Sequence, residues 1–466
     1  MKGSTLETSI ISMNHKKDFI EKTAEVPAKA LEGVIEISAK ASGALPGVER
    51  ARKYWHLLGP GLITGAADDD PSGITTYSQT GAHYGFQLLW LAGFTFPLMA
   101  IVQEMCARIG LITGRGLAGN IRHHFPKPIL YLCAVLLLIA NTFNIGADLG
   151  AMAQGLQLLF PHTSFALLLV GFTTLSLGLQ IFTSYAKYTK YLKWLAMILF
   201  AYIFSALLAN LNWKEVAIHA LLPSITFSKD QILLICAILG TTISPYLFFW
   251  QTSQELEEEI LLGRKTLKLR EGATHKEIKH MRIDVWSGMF FSNIVMFFII
   301  AACAGVLFTH GITNIETSAQ AAEALRPLAG NITYFLFAIG IVGTGLLALP
   351  VLAGASSYAL AESFGWKKMG LYRKLKSAYG FYGVIIISML VGLAMNFFGI
   401  DPIKALIWSA VLNGLIAPVI LVLIVLLSSN KKIMGKWVNG RFTQWMGWLV
   451  VAIMTIAGVA AVISLF

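Results

Sequence analysis

Charge is what this chain has least of. Asp, Glu, Lys and Arg make up 13% of its 466 residues, against 56% apolar residues and a mean hydropathy of +0.67. Soluble domains carry about twice that charged fraction, so a water-soluble globule is excluded. The length leaves room for roughly 10 to 12 membrane spans of about 20 residues each. Cysteine is also scarce. Cys106, Cys133, Cys236 and Cys303 all lie in apolar segments without CxxC spacing, which argues against a disulfide framework or a zinc site and reads as small buried hydrophobes. No GxxxxGK[ST] motif occurs, so nothing supports nucleotide-driven pumping. Met1 to Lys53 contains no apolar core of the kind a cleavable signal needs, and none is expected.

Eleven hydrophobic segments follow, at 57–84, 87–112, 129–159, 164–183, 191–211, 231–262, 283–308, 331–362, 379–398, 402–428 and 443–465. Residues 1–55 form a polar extension read as cytosolic. Val26 to Ala41 within it has amphipathic spacing that suits either a membrane-surface helix or a solvated one. The net charge of +11 needs no nucleic acid to explain it, because its distribution follows the spans. Lys and Arg crowd alternate loops: Arg115 to Lys127, Lys187 to Lys193, Arg264 to Arg282, Lys367 to Lys376 and Lys431 to Arg441. The intervening loops hold only Lys214, Lys229, Arg326 and Lys404. By the positive-inside rule the N-terminus is expected in the cytosol and the C-terminus outside, in a plasma membrane.

The first span is the informative one. GPGLITGAADDDPSGITTYSQTGAHYG, from Gly59 to Gly85, places Asp68, Asp69 and Asp70 before Pro71, Ser72 and Gly73. Pro71 lacks an N–H and disfavours helical geometry at Asp70. Ionisable groups at membrane depth cost at least a few kcal/mol each and usually serve an ion or substrate path. The plainer alternative is that Asp70 caps the helix that restarts after the break. The sixth span, ILGTTISPYLFFWQTSQELEEE, is also expected to break, at Ser244-Pro245. Two broken spans with four intact ones between them predict two five-helix repeats of opposite topology (57–211 and 231–428) plus a last helix at 443–465, with a midplane site between the breaks.

These residues resemble the Nramp family of proton-coupled divalent-metal transporters. The first span has GPG and an Asp-Pro break where the family has DPGN. The second ends QEMCARIGLITGRGLAGNIR, near the family's ARLG-x-x-TG-x-x-LA. The third contains GADLGAM beside the family's ATDLAEV, and the sixth GTTISPYLFFWQ where the family reads G-A-T-V-M-P-H-N-L-Y-L-H. The resemblance covers about residues 57–465 and implies an all-α LeuT-type fold of eleven helices with the first and sixth discontinuous. It implies a site built from Asp70 as the metal-binding carboxylate, the Ala67 and Thr241 carbonyls, and positions 73 and 244. Here, however, the family's Asn is Gly73, its Met is Ser244, and its two His are Tyr246 and Gln251. Asp148 keeps the family's coupling-path aspartate, whose acidic partners become Asn141 and Ala151.

Those departures shift the chemistry. A thioether favours transition metals, whereas hydroxyl and carboxylate oxygens suit Mg²⁺ or Mn²⁺. Asp68 and Asp69 are candidates to supplement Asp70, although on a continuing helix they project roughly 200° and 100° away from it. No histidine lies in the apolar centre of the sixth span. A proton would therefore have to use Asp148, which is equally readable as a structural carboxylate. Asn413 is a candidate lining residue or a helix–helix contact. Glu104 is expected to pair with Arg108 at i,i+4, and Glu255 to Glu259 to form a cation vestibule or a solvated helix end. The reading that results is a secondary transporter importing a divalent cation by alternating access, without a cofactor. A transporter of the same fold with a non-metal substrate is the alternative, and a Mg²⁺-dependent intramembrane prenyl-transferase a remote one.

Overall fold

The structure is a computed structural model and describes residues 54–464 apart from His56, Asn210, Phe227, Glu316, Thr317, Ile400 and Asp401. The proposed extension and its amphipathic stretch at 26–41 lie outside the described residues. From Leu58 onward the chain forms one compact helical unit. Its spans are α1a (Pro60–Asp68), α1b (Pro71–Tyr84), α2 (Trp90–Thr113), α3 (Lys127–Leu159), α4 (Phe165–Phe182) and α5 (Tyr185–Leu208). They continue with α6a (Lys229–Thr242), α6b (Pro245–Leu261), α7 (His275–Val306), α8 (Ser318–Phe364), α9 (Tyr379–Met395), α10 (Pro402–Ser428) and α11 (Arg441–Ser464). Each apolar segment of the sequence became a helix or a pair of half-helices, with the first and sixth interrupted, and nine of these stretches among the described residues are long and apolar enough to cross a membrane.

Three boundaries moved outward from the apolar segments. α5 begins six residues before 191, α7 eight before 283 and α8 thirteen before 331. Lys187, Lys190, Lys276, Lys279 and Arg282 are therefore helical rather than in loops. Hydropathy finds the stretch that can sit in hydrocarbon, but helix propensity carries the backbone further: Ser318 to Asn331 holds five Ala and two Leu. At α7 the start is a capping box, in which Thr274 Oγ1 accepts the Glu277 N–H while Glu277 Oε2 accepts the Thr274 N–H.

The packing has an internal exchange symmetry. α1 lies on α7, and α6b lies on α2. α5 packs on α8, and α10 packs on α3. α4 touches α3 and α8, as α9 does. Exchanging the first five spans with the second five maps each pair onto its counterpart, as two inverted repeats require. α3 and α8, which correspond to each other, form the central pair. The outward faces are apolar, with Leu167, Phe182, Phe204, Phe290, Ile387, Trp445 and Ile456 exposed. A surface of that kind belongs against lipid rather than water.

Glycine sets the closest approach. Gly61 and Gly65 of α1a face Gly288 of α7, and a Cβ on any of the three would run into backbone atoms of the opposite helix. Close backbone contact between small residues is how membrane helices gain van der Waals packing. It clamps the first half of the broken helix to one wall of the bundle.

Candidate functional site

Both breaks have the local cause read from the sequence. Asp69 leaves the helix, Asp70 is extended (φ −68°, ψ 170°), and Pro71 opens α1b. In the sixth span Ile243 leaves the helix, Ser244 is extended (φ −80°, ψ 131°), and Pro245 opens α6b. Proline excludes helical geometry from the residue before it and is at ease in the first helical position.

Asp70 is wholly buried, and its two oxygens do different things. Oδ1 accepts the Gly73 N–H at 2.8 Å and the Ser72 hydroxyl at 2.6 Å, the geometry of an N-cap. Oδ2 turns away from its own helix and accepts the Asn144 amide of α3 at 2.8 Å. The Tyr246 hydroxyl of α6b lies 3.3 Å from the same oxygen and 3.0 Å from the Ala67 carbonyl oxygen. The capping and site readings of Asp70 are thus not exclusive, since each oxygen serves one. Asn144, missed in the sequence, is held in turn by the Ser409 hydroxyl of α10, which donates to its Oδ1 at 2.5 Å. The signal was there: Asn144 precedes Asp148 by four residues, hence lies on the same face of a helix that is otherwise largely apolar.

Around this carboxylate lie buried polar atoms without hydrogen-bond partners: both Asp148 oxygens, Thr241 Oγ1 and the Tyr77 hydroxyl. Asp148 faces the Ser72 backbone and Asp70. Unsatisfied oxygens in low dielectric are costly, and their convergence beside Asp70 fits a cation. The other sequence candidates are placed as follows. Ser244 donates to Gly240 and Thr241 carbonyls of its own span at 2.7 and 2.6 Å, so the Thr241 carbonyl already accepts a hydroxyl. A Cβ on Gly73 would lie 3.1 Å from the Asp68 carbonyl oxygen and 3.2 Å from Thr241 Oγ1, which leaves little room for a larger residue there. Gln251 donates to Glu255 at 2.8 Å, a turn further along α6b. Asn413 is buried on α10 with its carbonyl oxygen unpartnered. Asn141 ties α3 to α8 through the Leu352 carbonyl and the Ser356 hydroxyl, both at 3.0 Å. Asp68 accepts the Ser292 hydroxyl of α7 at 2.9 Å, Asp69 lies near Tyr202 of α5, and both also bear on Tyr77 of α1b.

Of two expectations about carboxylates, the Glu104–Arg108 pair is present with further partners across the bundle, and the solvated end of α6b needs correcting. Glu104 stands 3.9 Å from Arg108, but its closer partners are on α7: Arg282 Nε at 2.8 Å and Trp286 Nε1 at 3.0 Å. Across-helix bonds of this kind are invisible to an i,i+4 rule. The acidic run of α6b is not a solvated helix end either, since Glu255, Glu257 and Glu259 are buried. Glu257 accepts the Leu371 and Tyr372 N–H groups and the Tyr358 hydroxyl, and Glu259 pairs with Arg264 at 2.6 Å. These groups fasten α6b to neighbouring loops.

The start of α1a is fastened in the same way. Asp284 of α7 accepts the N–H groups of Gly59 and Gly61 at 2.7 Å and of Leu62 at 3.1 Å, and Lys193 of α5 donates to the Leu58 carbonyl at 2.6 Å. A carboxylate at a helix start satisfies orphan donors and opposes the positive end of the dipole. Hydrogen bonds to charged groups contribute about 1.5–3 kcal/mol each, so Asp284→Asn should speed amide exchange at residues 59–62 by at least about tenfold, read by mass spectrometry. Unchanged exchange there would show that Asp284 does not hold α1a.

Two interrupted helices packed in an inverted-repeat bundle, with a buried carboxylate where the first backbone opens, define the fold of a membrane transporter. The family model described as natural resistance-associated macrophage protein-like, Nramp, matches residues 61–464. The chain belongs to the Nramp family. It is 25% identical over 405 residues to a protein of Klebsiella pneumoniae subsp. pneumoniae named divalent metal cation transporter MntH, covering 85% of this chain and 91% of that one. A protein of the same name from Pectobacterium carotovorum subsp. carotovorum is 27% identical, with coverage of 85% and 92%. Among solved structures, the Eremococcus coleocola manganese transporter aligns with a TM-score of 0.68 at 19% identity, over 87% of this chain and 86% of that one. Mhp1, a nucleobase-cation-symport-1 family transporter, aligns at 0.55 with 16% identity, covering 87% and 91%. These likenesses confirm the fold, in which the first and sixth helices are discontinuous. The relatives are named as transporters, not enzymes.

Proposed function

We propose that this chain is a secondary-active transporter that moves a divalent cation across the plasma membrane, N-terminus inside. Asp70 Oδ2 and the Ala67 carbonyl serve as ligands, with Asn144, Tyr246 and Asp148 around them. The observation that carries this reading is the Tyr246 hydroxyl, which lies within 3.3 Å of both the Asp70 carboxylate and the Ala67 carbonyl. Two oxygens from one break converge there on a third group from the other span. An ion at that point would take the phenol oxygen as a neighbour or displace it.

Every donor in this set is an oxygen or an amide, with no sulfur and no imidazole. No three His, Cys, Asp or Glu side chains converge anywhere among the described residues. Hard ions suit such a site, and Mg²⁺ keeps several waters rather than demanding an all-protein cage. We therefore favour Mg²⁺ or Mn²⁺ over Fe²⁺, and Asp148 as the group that exchanges a proton if transport is coupled. The test is uptake into proteoliposomes of Mn²⁺, Mg²⁺ and Ca²⁺ with and without an inward proton gradient. Saturable uptake of Mg²⁺ or Mn²⁺ supports the reading, stimulation by the gradient supports coupling, and uptake of no metal overturns it.

Ser244→Met would place a soft thioether at the second break. Its expected effect is a several-fold shift of preference towards Fe²⁺ or Cd²⁺ in competition uptake. An unchanged ion ranking would remove position 244 from selectivity.

A further inference from the structure

The loop between α8 and α9 has features that moving an ion does not use. Residues 365–378 include Lys367, Lys368, Arg373, Lys374 and Lys376 but no Asp or Glu. A cavity of about 460 Å³ opens beside it, lined by Trp366, Lys367, Lys368 and Lys376 together with residues 377–380, where α9 begins. No acidic side chain lines it. The three lysines are exposed, and none of them is in an ion pair among the described residues. Aromatic rings run from this cavity to the outward face of the bundle. Trp366 stacks on Phe364 with ring centres 6.1 Å apart, and Phe364 on Tyr131 of α3 at 5.7 Å. On α9, Tyr379, Ile387 and Leu390 lie along one face and are all exposed. Between them nothing lies within 4 Å of a Cβ placed on Gly383.

We propose that this cavity holds the headgroup of an anionic phospholipid, with its phosphate among Lys367, Lys368 and Lys376 and its chains along the outward face of α9. Charge complementarity carries the choice of headgroup. Three ammonium groups with no carboxylate among them attract a net negative lipid, whereas a zwitterionic headgroup brings a cation of its own. Continuity with the lipid-facing surface carries the choice of a lipid over a soluble anion. Trp and Tyr favour the headgroup level of a bilayer, and Trp366 and Tyr379 stand at the cavity itself. The open space at Gly383 then leads towards Ile387 and Leu390, which suits a molecule with hydrocarbon chains and offers a free phosphate nothing. The occupant would bear on α6b, because Glu257 accepts the Leu371 and Tyr372 N–H groups of this same loop. The Tyr382 hydroxyl of α9 donates to the Arg373 carbonyl at 2.8 Å and ties the loop's other end. None of this depends on which ion is carried.

Native mass spectrometry of the purified, delipidated full-length protein tests this without relying on metal uptake. The protein is titrated with phosphatidylglycerol or phosphatidylcholine, each with and without inorganic phosphate. Phosphatidylglycerol should bind at least about tenfold more tightly than phosphatidylcholine, and the combined changes Lys367→Gln, Lys368→Gln and Lys376→Gln should remove that advantage. All three positions are exposed, so the variant should fold like wild type. Lys431→Gln, Lys432→Gln and Lys436→Gln together remove the same charge from another exposed loop and should leave the binding unaltered. Equal affinity for the two lipids overturns the proposal, as does unaltered affinity in the first triple variant. An equal loss in both triple variants would mean attraction to a diffuse positive surface, which overturns the site. Displacement of phosphatidylglycerol by an equal concentration of inorganic phosphate would make the occupant a soluble anion and overturn the lipid.

Discussion

Asp70→Asn and Asp70→Ala should both lower metal uptake by at least about 100-fold, or ~2.7 kcal/mol of lost binding, while the protein still reaches the membrane folded. The pair separates the two jobs of this side chain. Asparagine caps a helix about as well as aspartate, whereas alanine costs about 1 kcal/mol at that position. Asn therefore keeps the bonds that Oδ1 makes to Gly73 and Ser72 and removes the charge that Oδ2 offers beside Ala67 and Tyr246. Neither variant leaves a buried charge unpaired, so neither should unfold the bundle. Uptake of Mn²⁺ or Mg²⁺ into proteoliposomes, normalised to the monodisperse fraction, reads the result. If Asp70→Asn transports at the wild-type rate, capping is all that Asp70 does and the proposed site is wrong.

Gly288→Val carries the largest expected effect on folding. Its side chain would enter the space held by the backbone of Gly61 and Leu62, which cannot yield as a flexible side chain would. Overpacking of this kind costs about 1–3 kcal/mol, and here it also separates α7 from the half-helix that leads into Asp68, Asp69 and Asp70. Thermal unfolding followed by size-exclusion fluorescence should show a clear loss of stability. Gly171→Val on α4 is the control, because nothing lies within 4 Å of a Cβ there, and it should behave like wild type. Equal stability of the two variants would show that the α1a–α7 contact is not as close as described.

How much was legible depended on whether the cause was local. The breaks follow from Pro71 and Pro245 acting on Asp70 and Ser244, one residue away, and the sequence located both within a residue or two. The helices follow from runs of apolar residues, and each of the eleven segments is helical, nine of them long and apolar enough to cross a membrane. The ends were less legible, because the helices continue through basic or Ala-rich turns that hydropathy discounts, as at Tyr185, His275 and Ser318.

The site divides along the same line. That a carboxylate would sit in a break between two half-helices was determined by the order Asp-Asp-Asp-Pro in an apolar stretch. Which way each carboxylate faces was not. The 200° and 100° offsets on a continuing helix said only that the three would diverge, and the dihedrals at Asp69 and Asp70 then set Asp70 towards Asn144 and Tyr246 and Asp68 towards Ser292. Those partners are 74, 176 and 224 residues away in the chain. The same holds for Glu104 with Arg282 and for Glu257 with the 371–372 backbone. Hydropathy and proline act on neighbours in sequence, and so the sequence by itself determined where helices run and where they stop. A buried polar group must instead find its partner across the bundle, and only the packing of α3, α6b and α7 around the first break decided which groups those are.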